Sequence, residues 1–157
     1  MPARLTGTGG SAPGSMLGAA LEIAAHGWPV LPVHCPRNGG CSCGDSGCKR
    51  IGKHPRTLHG VKDASIDPKQ IRSWWTSWPD ANIGIATGPP SGLLVLDVDG
   101  AVGRKSLTDL IKEYGLPKTR FSFTGRTGKD GKQNGAHLLF KYPVGVTIGK
   151  ADPEAYC

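Results

Sequence analysis

The sequence has no long apolar run. No window of its 157 residues approaches the roughly 18 consecutive apolar residues that a membrane span needs. The N-terminal stretch "MPARLTGTGGSAPGS" has one arginine and no apolar segment after it, so residues 1–14 are predicted to form a flexible leader and not a signal peptide. With 38% apolar residues and a mean hydropathy of -0.26, the chain is typical of a soluble, cytoplasmic protein with a single domain over residues 15–157.

Acidic residues are also scarce. The chain has 12 Asp and Glu against 19 Lys and Arg, which gives a formal charge of +7 and a pI of about 9.3. This excess favours a polyanionic partner, nucleic acid or nucleotide, although a merely solvated basic surface has the same composition. The sequence contains no block of five or more basic residues, so we expect a basic groove or face and not a basic tail.

Three helices and five strands are predicted from periodicity and capping signals. One helix runs from Ser15 to His26, and a second begins with Asp67 as its N-cap and Pro68 at its first position. The third lies in "LTDLIKEYGLP". The predicted strands lie in "WPVLPV", "NIGIATG", "LLVLDVD", "RFSFTG" and "GAHLLFKY". This order predicts an α/β or α+β domain, a mixed sheet with flanking helices.

A cysteine cluster lies in the Gly- and Pro-rich loop over residues 35–55. The segment "CSCGDSGCKRIGKHP" has the spacing C-x-C-x4-C-x5-H, which supplies Cys41, Cys43, Cys48 and His54 as a complete set of zinc ligands. Cys35 is a spare or the replacement for His54. Disulfides or reduced structural cysteines are the alternative, but a cytosolic chain would not keep disulfides. We therefore predict a structural zinc that folds this loop.

The stretch "SGLLVLDVDG" ends an apolar run in two aspartates. On a strand, Asp97 and Asp99 share one face with their Cα atoms about 7 Å apart, while Val98 faces the core. Such a pair can hold Mg²⁺ or Mn²⁺ through hard oxygen ligands. Two alternatives are a pair of turn caps and the nucleophile motif of a haloacid-dehalogenase-type phosphatase. That family places its motif near the N-terminus and follows it with a late acidic pair, which this sequence does not contain.

A histidine follows in a later strand. His137 in "GAHLLF" comes directly after the Gly- and Lys-rich tip "RTGKDGKQN", so it is a candidate for contacting a phosphate. The tip's cations, Arg126, Lys129 and Lys132, are candidates for facing the same polyanion. The alternative is a strand histidine bonded to a neighbouring carbonyl.

Taken together, these segments resemble the primase-polymerase (Prim-Pol) domain of the archaeo-eukaryotic primase superfamily, in the branch of bifunctional DNA primase/polymerase N-terminal domains. The segments that coincide in order are "ALEIAAHGWPVLPV", "CSCGDSGCKRIGKHP", "IRSWWTSWPDANIGIATG", "SGLLVLDVDG" and "TG…GAHLLF". The resemblance covers residues 17–148.

The resemblance implies roles for individual residues. Asp97 and Asp99 would bind the catalytic Mg²⁺ or Mn²⁺, and His137 would contact the triphosphate of the incoming nucleotide. It also implies a core related to RNA-recognition-motif folds, a zinc loop on the Cys/His cluster, and a phosphate near Lys53 in "GKHP". The family's third metal-binding carboxylate lies in a downstream segment that has no match here, and the setting of Asp152 does not resemble it. The domain is therefore expected to be C-terminally incomplete and less active than a longer version.

Two functions follow as hypotheses. The first is a DNA primase/polymerase domain that carries out metal-dependent, template-directed nucleotidyl transfer in the replication of a plasmid, phage or other mobile element. Its partners would be a DNA template, dNTPs or NTPs and a helicase domain or protein, with no membrane. The second is a zinc-stapled nucleic-acid or nucleotide-binding module without chemistry of its own.

Overall fold

The computed structural model describes residues 14–123 and 135–148. The chain divides into two compact units, a first unit over residues 1–91 and a second unit over residues 92–157. Within the described residues, no helix has both the length and the apolar character that crossing a membrane requires.

The first unit begins with the two predicted amphipathic helices and the strands that follow them. Helix α1 spans Met16–Ala25, and its N-cap Ser15 accepts a hydrogen bond from the Gly18 amide at 3.0 Å. Helix α2 spans Pro68–Ser77, and the side chain of its N-cap Asp67 accepts from Lys69 N at 2.9 Å. Both predicted N-caps are therefore confirmed.

Strands β1 and β4 lie beside these helices. Strand β1 spans Val30–Val33 and pairs antiparallel with β4, Asn82–Ile85. The helices pack on each other and on β1, and the resulting core consists of six buried residues: Ala20, Ala24, Val30, Ile71, Trp75 and Ala81. Trp75 lies inside this core, where its Nε1–H donates to the Ala81 carbonyl at 3.1 Å.

The loop after β1 returns to cover the second edge of that strand. The His34 amide donates to the His54 carbonyl and the Arg56 amide to the Pro32 carbonyl, each at 2.9 Å. Val30 exchanges two hydrogen bonds with Ser65, also at 2.9 Å. Two short strands, β2 (Pro36–Arg37) and β3 (Gly40–Cys41), form a hairpin inside this loop, and a 3₁₀ helix spans Gly60–Asp63. Strand β1 is thus hydrogen-bonded on both edges.

The second unit is a three-stranded sheet with one helix. Strand β5 spans Leu93–Asp99, helix α3 Gly100–Tyr114, strand β6 Arg120–Phe123 and strand β7 Gly135–Lys141. Their order in the sheet is β5-β7-β6. The crossover through α3 makes β5 and β6 run in the same direction, but β7 lies between them and pairs antiparallel with both.

The class predicted from the sequence is confirmed as α+β. In place of one mixed sheet, the described strands form three separate antiparallel sheets, β1-β4, β2-β3 and β5-β7-β6. The difference arises because β7 separates the two strands that the α3 crossover would otherwise bring together as a parallel pair.

Helix α3 begins earlier than the periodicity predicts. The pattern starts at Leu107, whereas the helix begins at Gly100, directly after β5. Gly100 has φ +62, a backbone conformation that glycine adopts at little cost, and this allows the strand to turn into the helix without a loop. A Cβ on Gly103 would lie 3.3 Å from the Val98 carbonyl carbon, a tight contact, so glycine suits the close approach of the first turn to the strand.

Candidate functional site

The predicted zinc ligands converge in the first unit. One ligand atom each from Cys41, Cys43, Cys48 and His54 lies within 4.8 Å of all the others. The His54 Nε2 is 3.4 Å from Cys41 Sγ and 3.6 Å from Cys48 Sγ. Zinc bonds of about 2.3 Å to sulfur and about 2.0 Å to nitrogen separate tetrahedral ligand atoms by about 3.5–3.8 Å. The donor set and its spacing therefore fit a closed, four-coordinate zinc site.

The β2-β3 hairpin delivers the first of these ligands. Asn38 and Gly39, with φ +50 and φ +76, form its tight turn and place Cys41 at the end of β3. Gly52 has φ +70 and packs so closely on Pro36 that a Cβ there would lie 2.8 Å from the ring Cδ. His54 is fixed from the other side by its backbone bond to His34. The loop is thus folded around the cluster although it contributes little to the core.

The cluster favours a thiolate at one of its cysteines. Burial opposes ionisation of Cys41, but hydrogen bonds from the Gly52 and Cys43 backbone and from the His54 side chain outweigh it and lower the pKa of Cys41 to about 6. At Cys48, a backbone hydrogen bond from Arg50 favours the thiolate, but burial and the nearby Cys41 and Cys43 sulfurs raise the pKa of this thiol. Zinc binds cysteine in the thiolate form. A divalent cation at the cluster would offset the repulsion between the Cys41 thiolate and a thiolate at Cys48.

Cys35 lies outside the four-residue cluster. Its Sγ is 3.7 Å from Asp80 Oδ2 and 4.0 Å from Arg56 Nη2, and Asp80 also forms an ion pair with Arg37. Its contacts are with these charged side chains, so the geometry favours His54, and not Cys35, as the fourth ligand.

A polar network around His54 was not predicted from the sequence. The His34 ring stacks on the His54 ring with centroids 4.3 Å apart, and its Nδ1 lies 2.9 Å from Ser42 Oγ. Arg56 donates to the same Ser42 oxygen at 2.8 Å, and its guanidinium lies over the Trp78 ring. The one sequence signal for this network is that Ser42 lies between two ligand cysteines, so its side chain has to lie at the edge of the cluster.

The second unit brings Asp97 and His137 together. These residues lie directly opposite each other in the β5-β7 ladder, and His137 Nε2 is 3.4 Å from Asp97 Oδ1. Both side chains are about half exposed, at 60% for Asp97 and 47% for His137. Asp99 lies opposite Gly135, which has no side chain to cover it.

The two aspartates lie on one face of the sheet, as predicted. Val98 between them is buried on the opposite face, with an exposed fraction of 4%. The arrangement offers two exposed carboxylates as hard oxygen ligands for a divalent cation, with an imidazole beside Asp97.

The remaining predictions concern Lys53, the tip cations and Asp152. Lys53 is exposed, and its contact with a phosphate stays a prediction. The tip cations Arg126, Lys129 and Lys132, and also Asp152, lie outside the residues that the structure describes.

Comparison with known protein families identifies a match. The model of a family described as "Bifunctional DNA primase/polymerase, N-terminal" (Prim-Pol) matches residues 20–154. No curated protein and no solved structure matches the chain. The matched range includes the Cys/His cluster, the two aspartates and His137, and metal binding by "LDVDG" stays a prediction.

Proposed function

Because the chain belongs to the Prim-Pol family of bifunctional DNA primase/polymerase N-terminal domains, we propose that it is a DNA primase/polymerase catalytic domain. Its reaction is metal-dependent, template-directed nucleotidyl transfer. One observation supports the site. Asp97 and Asp99 share an exposed face, and His137 lies opposite Asp97 with its Nε2 3.4 Å from Asp97 Oδ1.

In this proposal each side chain has a defined task. Asp97 and Asp99 hold the divalent ions, Mg²⁺ or Mn²⁺, which activate the attacking hydroxyl and neutralise the leaving pyrophosphate. His137 donates a hydrogen bond to the triphosphate. Strand β5 keeps the carboxylates at a fixed spacing, because both are anchored by the same ladder with β7. Positioning by rigid strands suits a reaction that depends mainly on alignment and charge stabilisation.

The contact between His137 and Asp97 also fits this assignment. A cation at Asp97 would compete with His137 for the same carboxylate oxygen, Oδ1. The imidazole would then be available to a phosphate oxygen on the same face. Both side chains are about half exposed, so each has room to change rotamer.

The Cys/His cluster has a structural task in the proposal. Cys41, Cys43, Cys48 and His54 make a closed set of four ligands, whereas a catalytic zinc keeps one position open. Zinc at this cluster would stabilise the loop that lines the second edge of β1. The positive charge of +7 suits a DNA template as partner. A role in the replication of a mobile element together with a helicase, and a cytoplasmic location, belong to the same proposal.

Primer extension tests the carboxylates. Asp97→Asn and Asp99→Asn should each reduce extension by at least about 100-fold with either Mg²⁺ or Mn²⁺, because each removes a charged metal ligand. Asp109→Asn is the matched control, since Asp109 is an exposed acid of the same unit that pairs with Lys105 on α3. Full activity in both site variants would refute the proposal, provided that the control is also active.

The alternative is a nucleic-acid-binding module without chemistry. The observation that favours it is that, on the described part of this sheet face, Asp97 and Asp99 are the two carboxylates present. Two carboxylates alone supply few ligands for two ions. This alternative predicts salt-dependent DNA binding that survives the Asp97→Asn/Asp99→Asn double change, together with a wild-type protein that extends no primer.

A further inference from the structure

Strand β6 adds two polar side chains to the face that carries Asp97 and His137. Ser122 lies opposite His137, which in turn lies opposite Asp97, so the three residues form one row across the sheet. Arg120 lies two residues before Ser122 on the same face, opposite Leu139. Both β6 residues are exposed.

The neighbouring phenylalanines establish which way β6 faces. Phe121 and Phe123 line an apolar pocket together with Leu107 and Ile111 of α3. Because successive side chains of a strand alternate between faces, Arg120 and Ser122 lie on the opposite face. The Thr119 hydroxyl donates to the Leu139 carbonyl of β7, which fixes the backbone immediately before Arg120.

The spacing of the sheet puts these groups within reach of one ligand. Adjacent strands are about 4.8 Å apart, so Ser122 lies about 10 Å from Asp97 across β7. Arg120 is a diagonal neighbour of His137, at about 7–8 Å between Cα atoms, which a long side chain can span. The face therefore changes from carboxylates on β5, through imidazole on β7, to a hydroxyl and a guanidinium on β6.

We propose that Arg120 and Ser122 form the β6 side of a polyphosphate-binding site, in which Arg120 binds the distal phosphates of a nucleoside triphosphate whose metal ion is held at Asp97. This inference rests on the proposed function. A divalent cation neutralises only part of the negative charge of a triphosphate, so a cation at Asp97 and the guanidinium of Arg120 can bind one triphosphate from two sides of this face.

The chemistry of both side chains suits phosphate. The planar fork of arginine binds two phosphate oxygens at once, and a serine hydroxyl rotates to donate to a third. Within residues 14–123 and 135–148, no carboxylate forms an ion pair with the Arg120 guanidinium. None of those carboxylates therefore competes with a phosphate for the Arg120 guanidinium.

Nucleotide titrations with Mn²⁺ test the inference. Binding of a dNTP and of the corresponding dNMP is measured by calorimetry for the wild type, Arg120→Ala, Arg120→Gln and Ser122→Ala. Loss of a charged hydrogen bond predicts dNTP binding about 10-fold to 100-fold weaker in both Arg120 variants, and about 5-fold weaker in Ser122→Ala, with dNMP binding unchanged. Arg72→Ala, which removes an exposed arginine from α2 in the first unit, is the matched control and should bind like the wild type.

The outcomes separate this inference from the function on which it rests. If the wild type binds dNTP and both Arg120 variants bind it equally well, the inference is wrong and the proposed function stands. If the variants lose dNTP and dNMP to the same extent, Arg120 does not act on the distal phosphates, and the inference is also wrong. If the wild type itself binds no dNTP in the presence of Mn²⁺, both fail.

Discussion

Replacement of Gly52 by alanine tests how the cysteine loop is held together. Gly52 has φ +70, where an L side chain costs about 1–2 kcal/mol. The added Cβ would also lie 2.8 Å from Cδ and 3.1 Å from Cγ of Pro36, atoms of a ring that cannot rotate away. Overpacking of this kind costs about 1–3 kcal/mol. We therefore expect Gly52→Ala to lower the free energy of unfolding of the first unit by about 2–5 kcal/mol.

Tryptophan fluorescence during urea unfolding measures this change directly. All four tryptophans of the chain lie in the first unit, so the signal reports on that unit alone. The matched control is Gly39→Ala: Gly39 has φ +76, but no atom lies within 4 Å of the added Cβ, so only the backbone cost of about 1–2 kcal/mol applies. Equal destabilisation by the two changes would refute the claim that contact with Pro36 matters.

The same variant has a second measurable effect. The Gly52 backbone helps to lower the pKa of the Cys41 thiol, so moving Gly52 disturbs a candidate ligand as well as the loop. Competition with a chromophoric zinc chelator should show weaker zinc binding by Gly52→Ala than by Gly39→Ala.

Three further predictions concern the metal, one carboxylate and one core hydrogen bond. Purified protein should contain about one zinc per chain; Cys43→Ser should lose it and Cys35→Ser should keep it, as elemental analysis would report. The pKa of Asp63 is lowered by a backbone and then a side-chain hydrogen bond from His59, so its stabilisation is present above the ordinary carboxyl pKa of 3.8 and is lost as the pH falls through the lowered value. Unfolding of wild type and Asp63→Asn should differ at neutral pH and converge in acid; a difference that is independent of pH would contradict this. Trp75→Phe removes the N–H donor to a buried carbonyl six residues later in the chain and should cost about 1–3 kcal/mol in urea unfolding.

Sequence patterns within a few residues predicted the helix N-caps, the cysteine cluster and the common face of the two aspartates. Ser15 and Asp67 cap their helices as their positions indicate, since capping depends on residues within one turn. The spacing of the cysteines and His54 likewise predicted a cluster that the structure brings together. For Asp97 and Asp99, the two-residue period of a strand was enough to assign a common face.

The remaining features leave no periodic signal in the sequence or depend on contacts between distant segments. The early start of α3 results from the conformation of Gly100 and from the close approach of Gly103 to Val98, neither of which leaves an apolar period in the sequence. The row from Asp97 through His137 to Ser122 requires the register of two separate ladders. A pattern within a single strand contains no information on which strand lies beside it, so Ser122 could not be predicted as a neighbour of His137.

The backbone bonds between β1 and the loop around the cysteine cluster link metal content to solubility. His54 is a candidate zinc ligand, and its carbonyl and the neighbouring Arg56 amide also pair with β1 at His34 and Pro32. If zinc left and this segment detached, the Pro32 carbonyl of β1 and the His34 amide just after it would lose their partners, and other chains can add as strands at such an unpaired edge. Removal of zinc is therefore expected to lower the solubility of the protein, which light scattering after addition of a chelator would show.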